Sequence, residues 1–128
     1  MGRRAAKVDE NQGELVEALR RMGAAVEITS SVHGGFPDVV VGLNGVSVLV
    51  EVKDGSLAPS RRRLTPAQQV VHGRFHGAIT VIETLDQAVA LIERMREAAS
   101  RLAGIDWNMG AVANAATTTR PEQEGAHA

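Results

Sequence analysis

The chain has 128 residues, a formal net charge of −1, no cysteine, and only Phe36, Phe75 and Trp107 as large aromatics. That length suits one domain with a modest core, and the missing cysteines exclude disulfides and thiolate metal sites. Near-neutral charge argues against coating nucleic acid by charge alone, and the few aromatics argue against a base-stacking platform. No apolar run approaches the ~18 residues of a membrane span, and no signal-peptide stretch follows the charged first seven residues, so a cytoplasmic location is expected.

Residues 1–8 read as a basic arm carrying Arg3, Arg4 and Lys7. Asp9 can cap a helix from about Glu10 to Met22, with Leu15, Val16, Leu19 and Met22 as its apolar face and Gly23 as its stop. Residues 24–29 read as a strand, and residues 30–37 as a glycine-containing loop. Two β-branched runs follow, Val39 to Gly42 and Val46 to Val50, separated by Leu43-Asn44-Gly45. Residues 54–64 form a polar, basic loop. Thr65-Pro66-Ala67-Gln68 is a capping box with proline at the first helical position, opening a helix to about Phe75. A fourth strand over residues 78–83 precedes a long helix over residues 85–102. Periodicity ends at Gly104, and residues 104–128 read as a disordered tail. The order αβββαβα is mixed α/β, with one domain over residues 9–103.

The two β-branched runs carry the chemistry. Asn-Gly between them is the strongest short-range hairpin signal, because a type I′ turn needs positive φ at both central residues. With Asn44-Gly45 in those places Leu43 pairs with Val46, and counting outwards sets Asp38 opposite Glu51. Directly paired residues share a face, so Asp38, Glu51 and Lys53 lie with Val40, Ser47 and Leu49. The other face, from Val39 to Val52, is apolar throughout. Two opposed carboxylates in a buried hairpin repel, and a divalent cation between them removes the conflict. The Val52 carbonyl is a further oxygen donor suited to a hard cation.

Pro37-Asp38 followed by Glu51-Val52-Lys53 resembles the signature of the PD-(D/E)XK nuclease superfamily. Asn11-Gln12 in the helix before the hairpin, Gly35-Phe36 before Pro-Asp, and Leu64-Thr65-Pro66-Ala67-Gln68 after the Lys extend the likeness over roughly residues 9–83. It is similar to the compact VRR-NUC-like and Holliday-junction-resolvase-like members, many of them encoded by phages. The resemblance implies a restriction-endonuclease-like core, a central mixed sheet flanked by helices in the order αβββαβ, with a C-terminal helix added.

It further implies a metal-dependent DNA endonuclease, structure-selective for branched DNA, using Mg²⁺ with Mn²⁺ as a substitute. Asp38 and Glu51 would hold the ion, while Lys53 pairs with the phosphate or orients the water. Gln68 matches the glutamine of the helix after the Glu-X-Lys strand. The family's first-helix glutamate has no clear counterpart. Taking 100° per residue, Asn11 and Gln12 fall within the buried arc and Glu14 lies to one side, so Gln12 is taken as the inward group, with Glu14 the alternative ligand if the helix is rotated. Arg61, Arg62 and Arg63 are expected to contact nucleic-acid backbone, and His33 to lie within reach of substrate. So small a chain has limited surface for duplex recognition, which suits a homodimer presenting two sites. The competing readings are a nuclease fold that binds or regulates without turnover, and an RNA-directed nuclease.

Overall fold

A computed structural model describes residues 2–109, with side chains from Glu10 onward. Three helices and a four-stranded sheet follow one another in the anticipated order: α1 (Gly2–Arg21), β1 (Ala25–Ile28), β2 (Val39–Leu43), β3 (Val46–Val52), α2 (Pro66–Arg74), β4 (Ile79–Ile82) and α3 (Leu85–Arg101). A single 3-10 turn, Pro59–Arg61, interrupts the basic loop. The mixed α/β class with a central mixed sheet is the architecture expected from the sequence. The expectation of a disordered tail falls largely on residues 110–128, outside the described residues.

One boundary differs. Helix α1 begins at Gly2, not at a cap on Asp9. Nothing between Arg3 and Gln12 breaks a helix, and Ala, Arg and Lys are strong helix formers, so the helix runs through the basic segment.

The sheet order is β1-β2-β3-β4, antiparallel except for the parallel β3-β4 pair. Asn44 at φ 52° and Gly45 at φ 89° make the tight turn, and Leu43 pairs with Val46 as counted from the sequence. That register carries through to Val39 opposite Val50, which leaves Asp38 and Glu51 as the next pair. Parallel pairing of β3 with β4 requires a crossover, and α2 supplies it.

Pairing parity sorts the two faces. Val26, Val39, Val41, Val48, Val50, Val52 and Ile82 are buried against Leu15, Val16 and Leu19 of α1 and Ala88, Leu91, Ile92 and Met95 of α3. Helix α3 starts at a Thr84 cap that accepts from the Gln87 N–H, which fixes its apolar stripe at the first turn. On the opposite face Val40 and Leu49 are half-buried, and α2 lies over the end that carries Glu51. Two helices thus build the core on one side, and a single short helix covers the charged end of the other. Among the described residues no helix is long and apolar enough to cross a membrane.

Candidate active site

Hairpin register brings Asp38 to Glu51, and the ladder itself explains how the aspartate is held. In an antiparallel pair every second residue pair exchanges hydrogen bonds. Starting from the turn, these are Leu43–Val46, Val41–Val48 and Val39–Val50, so Pro37–Val52 would come next. Proline has no N–H, and its carbonyl accepts the Thr29 hydroxyl at 2.8 Å. The Val52 N–H turns instead to Asp38 Oδ2 at 2.9 Å. By the same alternation the Val52 carbonyl leaves the strand on the Asp38 side, where the ladder has ended.

Glu51 is 3 % exposed, the one buried charged residue among those described. Its Oε2 accepts from Gln68 Nε2 at 3.1 Å and lies 3.8 Å from Lys53 Nζ. Its Oε1 is buried without a hydrogen-bond partner. Burial, followed by the adjacent Asp38 carboxylate, pushes the Glu51 carboxyl up from 4.5 to about 8, and Lys53 pulls it only partly back. Either a proton on Glu51 or a cation shared with Asp38 completes the arrangement.

Lys53 stands just past the end of β3, and three elements hold it. Its N–H donates to the Ile82 carbonyl of β4 at 3.0 Å. Its carbonyl accepts from Asn11 Nδ2 of α1 at 2.7 Å, and its Nζ donates to Gln68 Oε1 of α2 at 2.8 Å. Gln68 is therefore engaged on every side. Its Oε1 also accepts the Thr65 N–H, and its own N–H donates to Thr65 Oγ1, which closes the capping box. The bond pattern that starts helix α2 is the same one that grips Glu51 and Lys53.

The loop before Asp38 presses on that helix start. Gly35 has φ 85°, and a Cβ placed there would lie 2.5 Å from the Ala67 carbonyl oxygen. Only glycine accepts both the conformation and the contact.

Other candidates fall out differently. Asn11, not Gln12, reaches the strand end; Gln12 is half-buried and joins none of these hydrogen bonds, and Glu14 is exposed. The two amides differ by a single 100° step, too fine for an arc drawn from apolar residues to separate. Arg62 donates to both Glu83 oxygens at 3.2 Å, whereas Arg61 and Arg63 are exposed. His33 is exposed, with Nδ1 2.9 Å from the Gly34 carbonyl and its ring edge-on to Phe36 at 5.2 Å. His72, one turn after Gln68, has a buried Nε2 without a partner, and burial followed by the Lys53 charge lowers its pKa.

A hard divalent cation fits the donors present. Asp38, Glu51 and the Val52 carbonyl offer oxygen only, and Glu51 Oε1 lacks a partner. Among the described residues no group of three or more His, Cys, Asp or Glu side chains is placed to hold a metal. The candidate set is two carboxylates and a main-chain oxygen.

No protein-family model and no curated protein sequence matches the chain. A solved structure described as a VRR_NUC domain does, with 31% sequence identity and a TM-score of 0.54. The match covers 68% of this chain and 95% of that one.

Proposed function

The chain belongs to the VRR-NUC family of PD-(D/E)XK-type nucleases, and on that premise we propose that Asp38, Glu51 and Lys53 form a Mg²⁺-dependent centre hydrolysing DNA phosphodiester bonds. The observation that carries this reading is the buried Glu51 carboxylate, set against Asp38 with one oxygen unpartnered. Asp38, Glu51 and the Val52 carbonyl would hold the ion, and Mn²⁺ would replace it. Once bound, it supplies positive charge that acidifies a water and offsets charge on the phosphate.

The remaining work falls to the chain's own groups. Lys53 Nζ, held by Gln68 beside Glu51, offers an ammonium to the negative charge that builds on the phosphoryl oxygens. Gln68 keeps that ammonium and the Glu51 carboxylate in fixed relation. Gln12, whose amide is not engaged by the site, is the α1 group available to the phosphate. Arg61 and Arg63 lie exposed in the loop after β3 and suit backbone contacts without sequence readout. The sequence resemblance to resolvase-type members favours branched DNA as the substrate, and the limited surface for duplex recognition favours a homodimer presenting two sites.

Plasmid nicking with Mg²⁺, with and without chelator, is the first test, followed by matched linear, flap and four-way-junction substrates. Asp38→Ala and Glu51→Ala should each abolish cleavage while the fold survives. Lys53→Ala should retain metal binding, measured calorimetrically, while turnover falls by roughly 10²–10³-fold. Wild-type turnover in either carboxylate variant would refute the assignment. The rival reading is a nuclease fold that binds nucleic acid without cutting it. It draws support from the lack of a third acidic group among the described residues, and chelator-insensitive binding with no product would favour it. RNA offered in competition separates an RNA-directed enzyme from a DNA-directed one.

A further inference from the structure

We propose that Asn11 is a positioning residue for Lys53, acting through the lysine backbone; the proposal rests on the reading of the site just given. Lys53 follows the last residue of β3, so the β2 ladder no longer holds it, and the chain turns away immediately after it. The Lys53 N–H is fixed by the Ile82 carbonyl at 3.0 Å. Its carbonyl is fixed by Asn11 Nδ2 at 2.7 Å, across 42 residues of sequence. An amide pinned on one side of a Cα and a carbonyl pinned on the other hold the Cα–Cβ bond in one direction. That direction delivers Nζ to Gln68 at 2.8 Å and sets it beside Glu51.

Asn11 has no local reason for its place. It lies in the middle of α1, where asparagine is a weaker helix former than alanine or lysine, and far from either cap. Asp38 and Asn11 both bond to the backbone of the Glu51-Val52-Lys53 segment: Asp38 accepts from the Val52 N–H, and Asn11 donates to the Lys53 carbonyl. The first orders the carboxylate pair. The second orders the cation beside it, and it ties the rotation of α1 to the aim of the lysine.

The sequence makes this directly testable, because Lys7 and Lys53 are the only lysines. NMR of isotope-labelled lysine in the metal-free full chain therefore reads Lys53 against a single other signal. Asn11→Leu keeps the side-chain size and removes the donor; Asn11→Asp keeps the shape and sets an acceptor against an acceptor. Both should move the Lys53 side-chain resonances from their wild-type positions in protein that stays folded, with a thermal midpoint lowered by the lost hydrogen bond, and Asn11→Leu should leave Mn²⁺ affinity unchanged. In cleavage assays kcat should fall roughly 10–100-fold with little change in KM. Asn11→Gln, which restores a donor, should recover part of the loss.

A double-mutant cycle completes the test: in a Lys53→Ala background Asn11→Leu should cost nothing further. An equal loss in both backgrounds would overturn the proposal, since Asn11 would then act on substrate or metal directly. Unchanged Lys53 resonances in folded Asn11→Leu and Asn11→Asp would overturn it as well. If the wild-type protein cuts no substrate, the nuclease reading fails, and the lysine spectra alone still decide the link between Asn11 and Lys53.

Discussion

Burial and Asp38 hold the Glu51 carboxyl at about 8 against an ordinary 4.5, and the sign of that shift has a measurable consequence. Between the two values the folded chain binds a proton that the unfolded chain has released. Its stabilising effect is therefore complete below about pH 4.5 and is lost as pH rises towards 8, on the order of a few kcal/mol. His72 works the other way. Its pKa is lowered from 6.5, so its effect on stability appears as pH falls below that value, where the unfolded chain takes up the proton first. In chelator, the thermal midpoint of the wild-type protein should fall between about pH 7.5 and 8, where His72 is largely neutral in both states. Glu51→Gln should flatten that fall and leave the acid-side loss in place. Added Mg²⁺ should raise the wild-type midpoint more near pH 8 than near pH 5, because at the lower pH it must displace the Glu51 proton. Equal metal shifts at both pH values would separate the ion from this carboxyl.

Helix α2 joins folding to chemistry, since Gln68 closes the capping box and binds both Glu51 and Lys53. Gly35 is where the preceding loop abuts that first turn. In Gly35→Ala the left-handed conformation costs about 1–2 kcal/mol. The overlap with the Ala67 carbonyl adds about 1–3 kcal/mol unless α2 shifts. Either outcome should appear as a lower midpoint, and a shifted α2 should also cut turnover at temperatures where the variant stays folded. Gly13 is the control. It lies within α1 with open space around a would-be Cβ, so Gly13→Ala should stabilise by about 0.5–1 kcal/mol and leave turnover alone. Two midpoints moving in the same direction would refute this contrast. The elements were legible in proportion to how local their causes are. The Asn44-Gly45 turn fixes β2–β3 register within two residues, which is why Asp38 opposite Glu51 follows by counting. Thr65 and Gln68 likewise announce α2. The Asn11 contact spans 42 residues and depends on how α1 rolls against the sheet, which apolar spacing does not resolve to one residue.

Charge across the whole molecule is nearly balanced, at −1, so any grip on a polyanion has to come from where the cations stand. Arg61, Arg62 and Arg63 are equivalent as sequence, because a loop has no periodicity to assign each a direction. In the fold they are not equivalent. Arg62 meets both Glu83 oxygens with side chains 27% and 20% exposed, bracing the loop against the end of β4, while Arg61 and Arg63 face solvent. On the proposed reading these roles separate in one experiment. Replacing Arg61 and Arg63 by alanine should leave stability within about 0.5 kcal/mol, as is usual for exposed sites. It should weaken binding to all duplex sequences alike, and the slope of log K against log salt should become shallower by up to ~0.9 for each phosphate no longer neutralised. Arg62→Ala should instead lower the thermal midpoint, and Glu83→Ala should do the same. The double variant should lose less than the sum, because both single changes break one pair. Binding in Arg62→Ala should suffer only as far as the loop carrying its neighbours loosens. If Arg62→Ala alone removes a full unit of salt slope at unchanged stability, the Glu83 pair gives way to phosphate in the complex, and Arg62 joins the binding surface. If the Arg61 and Arg63 changes leave the slope untouched, the polyanion approaches from another side of the sheet.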